Sequence, residues 1–162
     1  MTLNIEARTE LLGGVIYDVS PRNEPHRHAV RELNRALSRS LGEEYVVQVQ
    51  DAVAVPGWQG NDAPEVDVAI LRHKTYSPGP TAADALAFIE VSDTTYTTDR
   101  NFKIPLYVNA GVPSYIVNIA KKEVECYGSL QDLGAEHGRI LTEQDTLEIL
   151  GVALPISVLF NS

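Results

Sequence analysis

Residues 87–117, AFIEVSDTTYTTDRNFKIPLYVNAGVPSYIV, form the segment that most constrains the fold. They contain an apolar strand that ends at Glu90, a polar loop, a helical turn that presents Lys103, a Gly-Val-Pro break and a second apolar strand. A carboxylate at the end of a buried strand is costly unless a metal or another cation compensates its charge. The segment therefore predicts a strand–helix–strand unit in which Glu90 is a candidate functional acid.

A second acidic residue occupies a comparable position upstream. In the segment PEVDVAILR, Asp67 opens an apolar run and lies at the edge of a strand predicted over residues 66–71. Two predicted strands thus each carry one acid, Asp67 and Glu90.

The amino-terminal part of the chain predicts a hairpin followed by a helix. Residues 11–19 surround Gly13-Gly14, which indicates a tight turn or bend between two short strands. Residues 25–41 predict an amphipathic helix, since Val30, Leu33 and Leu37 recur at three- to four-residue intervals, and we expect Gly42 to close it. His26 lies near this apolar stripe, where a packed or capping histidine is more common than a ligand.

The remaining segments predict short elements. Residues 45–55 read as a strand, 56–64 as a loop with Trp58 at its tip, and 114–127 as a hairpin. We expect Asp99 to cap the helix that carries Lys103. Pro105 requires that this helix either kink there or begin nearby. The last predicted elements are short strands near 138–141 and 147–150 and a small helix near 156–160.

The length of 162 residues suits one domain, here residues 1–162, with room for a sizeable core. No apolar run is long enough to span a membrane, and residues 1–10 lack the pattern of a secretory signal, so we expect a cytoplasmic protein. Cys126, the single cysteine, excludes an internal disulfide and reads as a small packing residue.

Charge argues against extensive contact with duplex DNA. The formal net charge is −9, whereas a protein that binds many phosphates usually presents a basic face. Basic residues do gather in residues 22–39, which predicts either a local phosphate-facing surface or, more simply, a solvated helix face.

The ordered motifs resemble those of a known family. P-x-x-D-V-A-I, I-E-V-S-D and D-R-x-x-K-x-P-L-Y-x-x-A-G-V-P-x-Y are similar to the Uma-two (Uma2) family, a branch of the PD-(D/E)XK nucleases. The resemblance implies an α/β (α+β) fold with a restriction-endonuclease-like core, in which helices flank a central mixed sheet, preceded by an amino-terminal hairpin and helix. It also implies a metal-dependent endonuclease, a phosphodiester hydrolase.

The same resemblance implies the site. Asp67, Glu90 and the backbone carbonyl of Val91 would hold Mg²⁺ (or Mn²⁺), a hard cation that binds oxygen ligands and activates water. In the commonest motif a lysine follows the glutamate by two positions, but Ser92 stands there in this chain. Relatives move this lysine to the next helix, so Lys103 is the expected catalytic lysine; otherwise it would pair with Asp99 on a helix surface. Possible supporting residues are Ser92, Asp99, Tyr107 and Glu32.

Two functions remain open at this point. The first is a nuclease that cleaves nucleic acid, DNA more than RNA, and works as a homodimer. The second is a catalytically inactive nuclease-fold module for binding or assembly, which the acidic net charge favours. The combination of Asp67, Glu90 and Lys103 favours the first, because a module freed from catalysis has no physical need for all three.

Overall fold

The structure, a computed structural model, describes residues 8–19, 21–134 and 138–160. Residues 1–7, on which the expectation of no secretory signal partly rests, lie outside the described residues. In chain order the strands are β1 (Thr9–Leu12), β2 (Val15–Asp18), β3 (Tyr45–Ala52), β4 (Val55–Gly57), β5 (Gly60–Asp62), β6 (Glu65–Arg72), β7 (Ala85–Ser92), β8 (Ser114–Asn118), β9 (Glu123–Tyr127), β10 (Arg139–Leu141), β11 (Thr146–Ile149) and β12 (Val152–Pro155). The α-helices are α1 (Glu24–Ser40), α2 (Tyr96–Thr98), α3 (Ile104–Asn109) and α4 (Gln131–Gly134), and short 3₁₀ helices occupy Ala82–Asp84 and Ile156–Leu159.

A six-stranded mixed sheet forms the centre of the fold. Its spatial order is β10-β9-β8-β7-β6-β3, and only the pair β7–β8 is parallel among the pairings described. The parallel connection runs through the helical segment 96–109, because parallel neighbours require a crossover. The predicted central mixed sheet and the strand–helix–strand unit are confirmed.

Each face of the sheet has its own hydrophobic core. On one face α1 packs with Ala29, Leu33 and neighbouring residues against side chains that include Val68 and Ile89. On the other face Ile104 and Leu106 of α3 pack with side chains that include Phe88. Coverage of both faces explains why every residue of β6 except Arg72 is buried, including its two acids, Glu65 and Asp67.

Helix α1 begins one residue before the predicted boundary. Asn23 caps it by accepting a 3.1 Å hydrogen bond from the backbone N–H of His26, and Pro25 lies in the first turn, where its missing N–H costs nothing. The predicted apolar stripe is buried. Gly42 directly follows the cap residue Leu41, but its φ is not positive, so it does not form the left-handed glycine cap that was expected.

The helical segment after β7 contains a π-helical turn, Asp99–Lys103, between α2 and α3. Regular helix begins again at Ile104, so Pro105 lies in the first turn of α3 and its missing N–H is tolerated. The second alternative for Pro105 is therefore observed. The sequence predicts Asp99 as the amino-terminal cap of this helix. That prediction is wrong, because the helix already starts at Tyr96.

Several short hairpins surround the sheet. The predicted turn at Gly13-Gly14 joins β1 to β2, with both glycines at positive φ. The predicted strand 45–55 ends at Ala52, and the predicted loop 56–64 contains the hairpin β4–β5. Near the carboxy terminus, β12 pairs with β11 and was not predicted. No helix within the described ranges has the length and apolar character needed to cross a membrane.

Candidate active site

The register between β6 and β7 places the two predicted acids side by side. Val68 pairs with Ile89 in this antiparallel ladder, so Asp67 and Glu90 are the next residues at the same end of the sheet. Both are 1% exposed. The structure therefore brings together two carboxylates from separate strands, as the resemblance implied.

Asp67 is surrounded by donors. Its Oδ2 accepts a 2.8 Å hydrogen bond from the backbone N–H of Val91 and lies 3.3 Å from His26 Nε2, and its Oδ1 lies 3.4 Å from Arg22 Nη2. Burial alone would raise the pKa of this carboxyl group, but His26, Arg22 and the N–H of Val91 outweigh it and hold the pKa below its usual value. Asp67 is thus held as a carboxylate.

Glu90 has a different environment. Its Oε1 accepts a 2.8 Å hydrogen bond from the hydroxyl group of Tyr107, and its Oε2 lies 3.7 Å from Lys103 Nζ. Burial raises the pKa of Glu90 well above its usual value, and the nearby charges of Asp67 and Asp99 add to that effect. Lys103 and Tyr107 oppose it without cancelling it. Glu90 is a carboxyl group whose charge is under-compensated.

Lys103 is buried from the π-helical turn, 3% exposed. Its Nζ lies 2.8 Å from Glu10 Oε1 and donates a 3.0 Å hydrogen bond to the carbonyl oxygen of Glu65. Burial would lower the pKa of Lys103, but Glu90, Asp99 and Glu10 outweigh burial and raise it. Lys103 is therefore a fixed cation that faces Glu90 and Glu10, rather than the surface partner of Asp99.

Three of the proposed supporting residues lie at or beside the site, and the fourth, Glu32, does not. Tyr107 holds Glu90, while Ser92 donates a short hydrogen bond to Asp99, which also accepts a 2.7 Å bond from the hydroxyl of Thr95. Burial raises the pKa of Asp99. The structure does not bring Glu32 to this site, since it lines a separate surface groove on α1 with Arg35 and Arg39.

A cleft of about 500 Å³ opens beside Lys103. The hairpin β1–β2, the segment just before α1 and the helical segment after β7 contribute its walls. Its lining includes the site residues Glu10, Arg22, Asp99 and Lys103. Buried charges thus border a cavity of the size that small ligands occupy in other proteins.

Comparison with known proteins supports the resemblance. The model of the Uma2 family, described as "Putative restriction endonuclease", matches residues 1–157. The chain belongs to the Uma2 family.

The fold of this Uma2 protein is similar to a crystal structure described as "a putative nuclease belonging to DUF820 from Anabaena variabilis ATCC 29413". The TM-score is 0.70 at 14% sequence identity, and the alignment covers 98% of this chain and 93% of that chain. At this identity the likeness shows the fold, so the predicted restriction-endonuclease-like architecture is confirmed. No curated protein matches the chain.

Three residues that contact the candidate site were not predicted from the sequence: Glu10, Arg22 and His26. Glu10 also accepts a 3.1 Å hydrogen bond from the backbone N–H of Glu65, a contact between residues 55 apart in the chain. Arg22 and His26 contact Asp67 from either side of Asn23, whose Nδ2 donates a 2.6 Å hydrogen bond to Asp93 in the loop after β7. The clustering of basic residues at 22–39 was the available signal for Arg22, and His26 gave none beyond its position on the apolar stripe.

The donor chemistry of the site fits a divalent cation. Buried Glu65, Glu90 and Asp99 all have a raised pKa, with burial as the leading cause, which indicates negative charge that the nearby cations do not fully compensate. Among the described residues no group of three or more His, Cys, Asp and Glu side chains has metal-binding geometry. Mg²⁺ commonly binds through only one or two carboxylates, with water completing its shell, so two acids and one carbonyl suffice.

Proposed function

We propose that this Uma2 protein is a metal-dependent nuclease that hydrolyses phosphodiester bonds of nucleic acid, DNA more than RNA. The observation that carries the proposal is the pair of buried carboxylates, Asp67 and Glu90, beside Lys103, whose Nζ lies 3.7 Å from Glu90 and which itself lines the cleft. Buried acids of this kind, with a fixed cation beside them, are frequent at catalytic sites.

Asp67, Glu90 and the carbonyl of Val91 would hold Mg²⁺ or Mn²⁺. When bound, such an ion supplies Lewis-acid stabilisation of the phosphoryl oxygens and activation of water. Asp67 is suited to this role because its lowered pKa keeps it charged. Glu90 is suited because a bound cation would compensate the buried negative charge that otherwise raises its pKa.

Lys103 would stabilise the negative charge that develops on the phosphoryl group. Its ammonium group is already fixed by Glu10 and the carbonyl of Glu65, so little reorganisation is needed during the reaction. Tyr107 is a positioning residue, because its hydroxyl group fixes Oε1 of Glu90 at 2.8 Å. Asp99, held by Ser92 and Thr95, fixes the start of the π-helical turn that carries Lys103.

The direct test is cleavage of single-stranded and duplex DNA and of RNA with Mg²⁺ or Mn²⁺. We expect cleavage by the wild type and loss of at least about 100-fold in Asp67→Asn and Glu90→Gln. Glu43→Gln is the matched control, since Glu43 is an exposed acid outside the site. Activity that persists in both site variants at the wild-type level would reject the proposal.

The second candidate is a catalytically inactive binding or assembly module. The observation in its favour is internal charge pairing, because Arg22 contacts Asp67 and Glu10 holds Lys103. A site paired in this way can fold without metal. Failure of the wild type to bind Mg²⁺ or Mn²⁺ in the presence of nucleic acid would favour this function over the nuclease.

We also propose that the nuclease forms a homodimer when it cuts both strands of a duplex, because two-fold symmetry matches two antiparallel strands. Light scattering at the enzyme concentration used for cleavage is the measurement. A monomer mass in the presence of duplex cleavage would reject the dimer and leave the nuclease proposal intact.

A further inference from the structure

The walls of the cleft beside Lys103 suit a nucleobase better than a row of phosphates. Beyond the charged groups at the site, the lining carries neutral hydrogen-bonding side chains and aromatic rings. These include Thr95, Thr98, Asn101, Tyr17 and Phe102. Hydroxyl and amide groups can bind the edges of a base, and aromatic rings can stack on its face.

The charged residues of the cleft are concentrated next to the paired acids. Lys103 contacts Glu90 and Arg22 contacts Asp67, so these cations mark the side of the cleft nearest the site. Of the acids that line the cleft, Glu10 is paired with Lys103 and Asp99 accepts hydrogen bonds from Ser92 and Thr95. With a divalent cation held by Asp67 and Glu90, a phosphate would be drawn toward that cation, Lys103 and Arg22, and away from Asp18 at the exposed end of β2.

Two aromatic side chains in or near this cleft are exposed. Tyr17 on β2 is 50% exposed and Trp58, between β4 and β5, is 67% exposed. Trp58 packs edge-on against Phe102, with ring centroids 5.7 Å apart and planes inclined by 65°. Phe102 directly precedes Lys103 in the π-helical turn, so the aromatic surface adjoins the proposed catalytic lysine.

The net charge of the protein also disfavours a ligand that is held through a row of phosphates. With a net charge of −9, the protein is poorly suited to hold a rigid duplex through many phosphate contacts. Stacking on aromatic side chains binds unpaired bases and does not require a broad basic face. A single-stranded segment needs only its local phosphate placed near the two cations.

We infer that the cleft binds an unpaired nucleotide of a single-stranded or locally melted nucleic acid, with its base stacked on Tyr17 or Phe102 and its phosphate toward Lys103 and Arg22. The inference rests on the proposed nuclease function and names its substrate class. It applies to DNA and RNA alike, because the shared feature is the exposed face of an unpaired base.

The experiment uses short oligo(dT), oligo(U) and a blunt DNA duplex of equal length as probes of the full chain. Binding is followed by anisotropy of the labelled probe and by the fluorescence of Trp58, the only tryptophan of the chain, in EDTA and again in Ca²⁺. We expect a single-stranded probe to quench Trp58 fluorescence and to bind at least about tenfold more tightly than the duplex, the size expected for one stacked base.

Two variants and a neighbouring control locate the contact. Tyr17→Leu and Phe102→Leu should each weaken single-strand binding by about tenfold, while Ile16→Ala should leave it unchanged. Ile16 is 72% exposed and precedes Tyr17 on β2, so its side chain points to the other face of the hairpin. Equal affinity for duplex and single strand, or wild-type affinity in both aromatic variants, would overturn the inference.

The two proposals fail separately. Stacking-dependent binding of single strands without any cleavage in Mg²⁺ or Mn²⁺ supports the inference and rejects the nuclease. Metal-dependent cleavage of a duplex that Tyr17→Leu and Phe102→Leu do not affect supports the nuclease and rejects the inference.

Discussion

Replacing Tyr107 with phenylalanine removes one hydroxyl group from the centre of the site. Tyr107 is fully buried, and its only described hydrogen bond is the 2.8 Å bond that it donates to Glu90. Phenylalanine preserves the ring, including its contact with Phe88 at 4.6 Å between centroids. The substitution therefore tests the Glu90 hydrogen bond with little change in packing.

The size of the effect depends on the charge of Glu90. A hydrogen bond to a charged group stabilises a protein by about 1.5–3 kcal/mol, and one between neutral groups by about 0.5–1.5 kcal/mol. The pKa of Glu90 is raised by burial above its usual 4.5, so metal-free wild type is most stable while Glu90 holds its proton, and it loses stability as the pH rises through that raised pKa. Tyr107→Phe removes a hydrogen-bond donor to the carboxylate and raises the pKa of Glu90 further. The substitution should therefore lower the unfolding free energy most at pH values above that pKa.

Urea unfolding in EDTA at a series of pH values measures the difference in unfolding free energy between the wild type and Tyr107→Phe. We expect the loss of unfolding free energy in Tyr107→Phe to grow with pH, from about 1 to about 2 kcal/mol, and cleavage to fall about tenfold or more through misplacement of Glu90. A loss below about 0.5 kcal/mol at every pH, or one that shrinks as the pH rises, would refute the reasoning.

Tyr127→Phe is the matched control. Tyr127 is also buried and donates to a buried carboxylate, that of Glu125 on β9, so its loss should destabilise the fold to a similar extent. Glu125 makes no contact with Asp67 or Glu90 among those described, and cleavage should therefore be unchanged. Equal losses of cleavage in both variants would assign the effect to stability alone.

Three further predictions concern the charged neighbours. Lys103→Met should lower cleavage by about 10²–10³-fold while Mg²⁺ affinity measured by calorimetry does not fall, because a cation is removed from beside Glu90; unchanged cleavage would exclude a catalytic role. Glu10→Gln removes the negative charge that faces Lys103 Nζ at 2.8 Å and should lower kcat by about tenfold without changing nucleic-acid affinity. Glu24→Gln on the surface of α1 should change neither. Arg22→Gln should raise the pKa of Asp67, which Arg22 helps to hold below its usual value in the wild type. A lowered pKa stabilises the fold until the pH falls through that pKa, so acid unfolding of the variant, followed by circular dichroism, should begin at a higher pH. An unchanged midpoint would contradict the pairing of Arg22 with Asp67.

The sequence predicts the parts of this fold that depend on local pattern. The apolar runs at 66–71 and 87–91 predict β6 and β7, because a strand covered on both faces is apolar along most of its length. The leucine spacing predicts α1, because burial of one helix face repeats every three to four residues. The π-helical turn was not predicted. It begins at Asp99, which accepts hydrogen bonds from Ser92 and Thr95, and such side-chain contacts leave no periodic pattern in the sequence.

The site divides in the same way. Asp67, Glu90 and Lys103 stand in ordered motifs within β6, β7 and the segment that follows, so the resemblance locates them. Glu10 and His26 reach the site only through tertiary contacts, from β1 and the first turn of α1 respectively. Glu10 resembles an ordinary surface position in the sequence, and the place of His26 near the apolar stripe predicts packing but not its contact with Asp67.

The central claim is that Asp67 and Glu90 form one metal site. Calorimetric titration of Mg²⁺ and Mn²⁺ into wild type, Asp67→Asn, Glu90→Gln and the surface control Glu43→Gln tests this claim most directly. We predict binding by wild type and Glu43→Gln, and loss of at least about tenfold in affinity in each site variant. Wild-type affinity in both Asp67→Asn and Glu90→Gln, or no binding by wild type even with nucleic acid present, would contradict it.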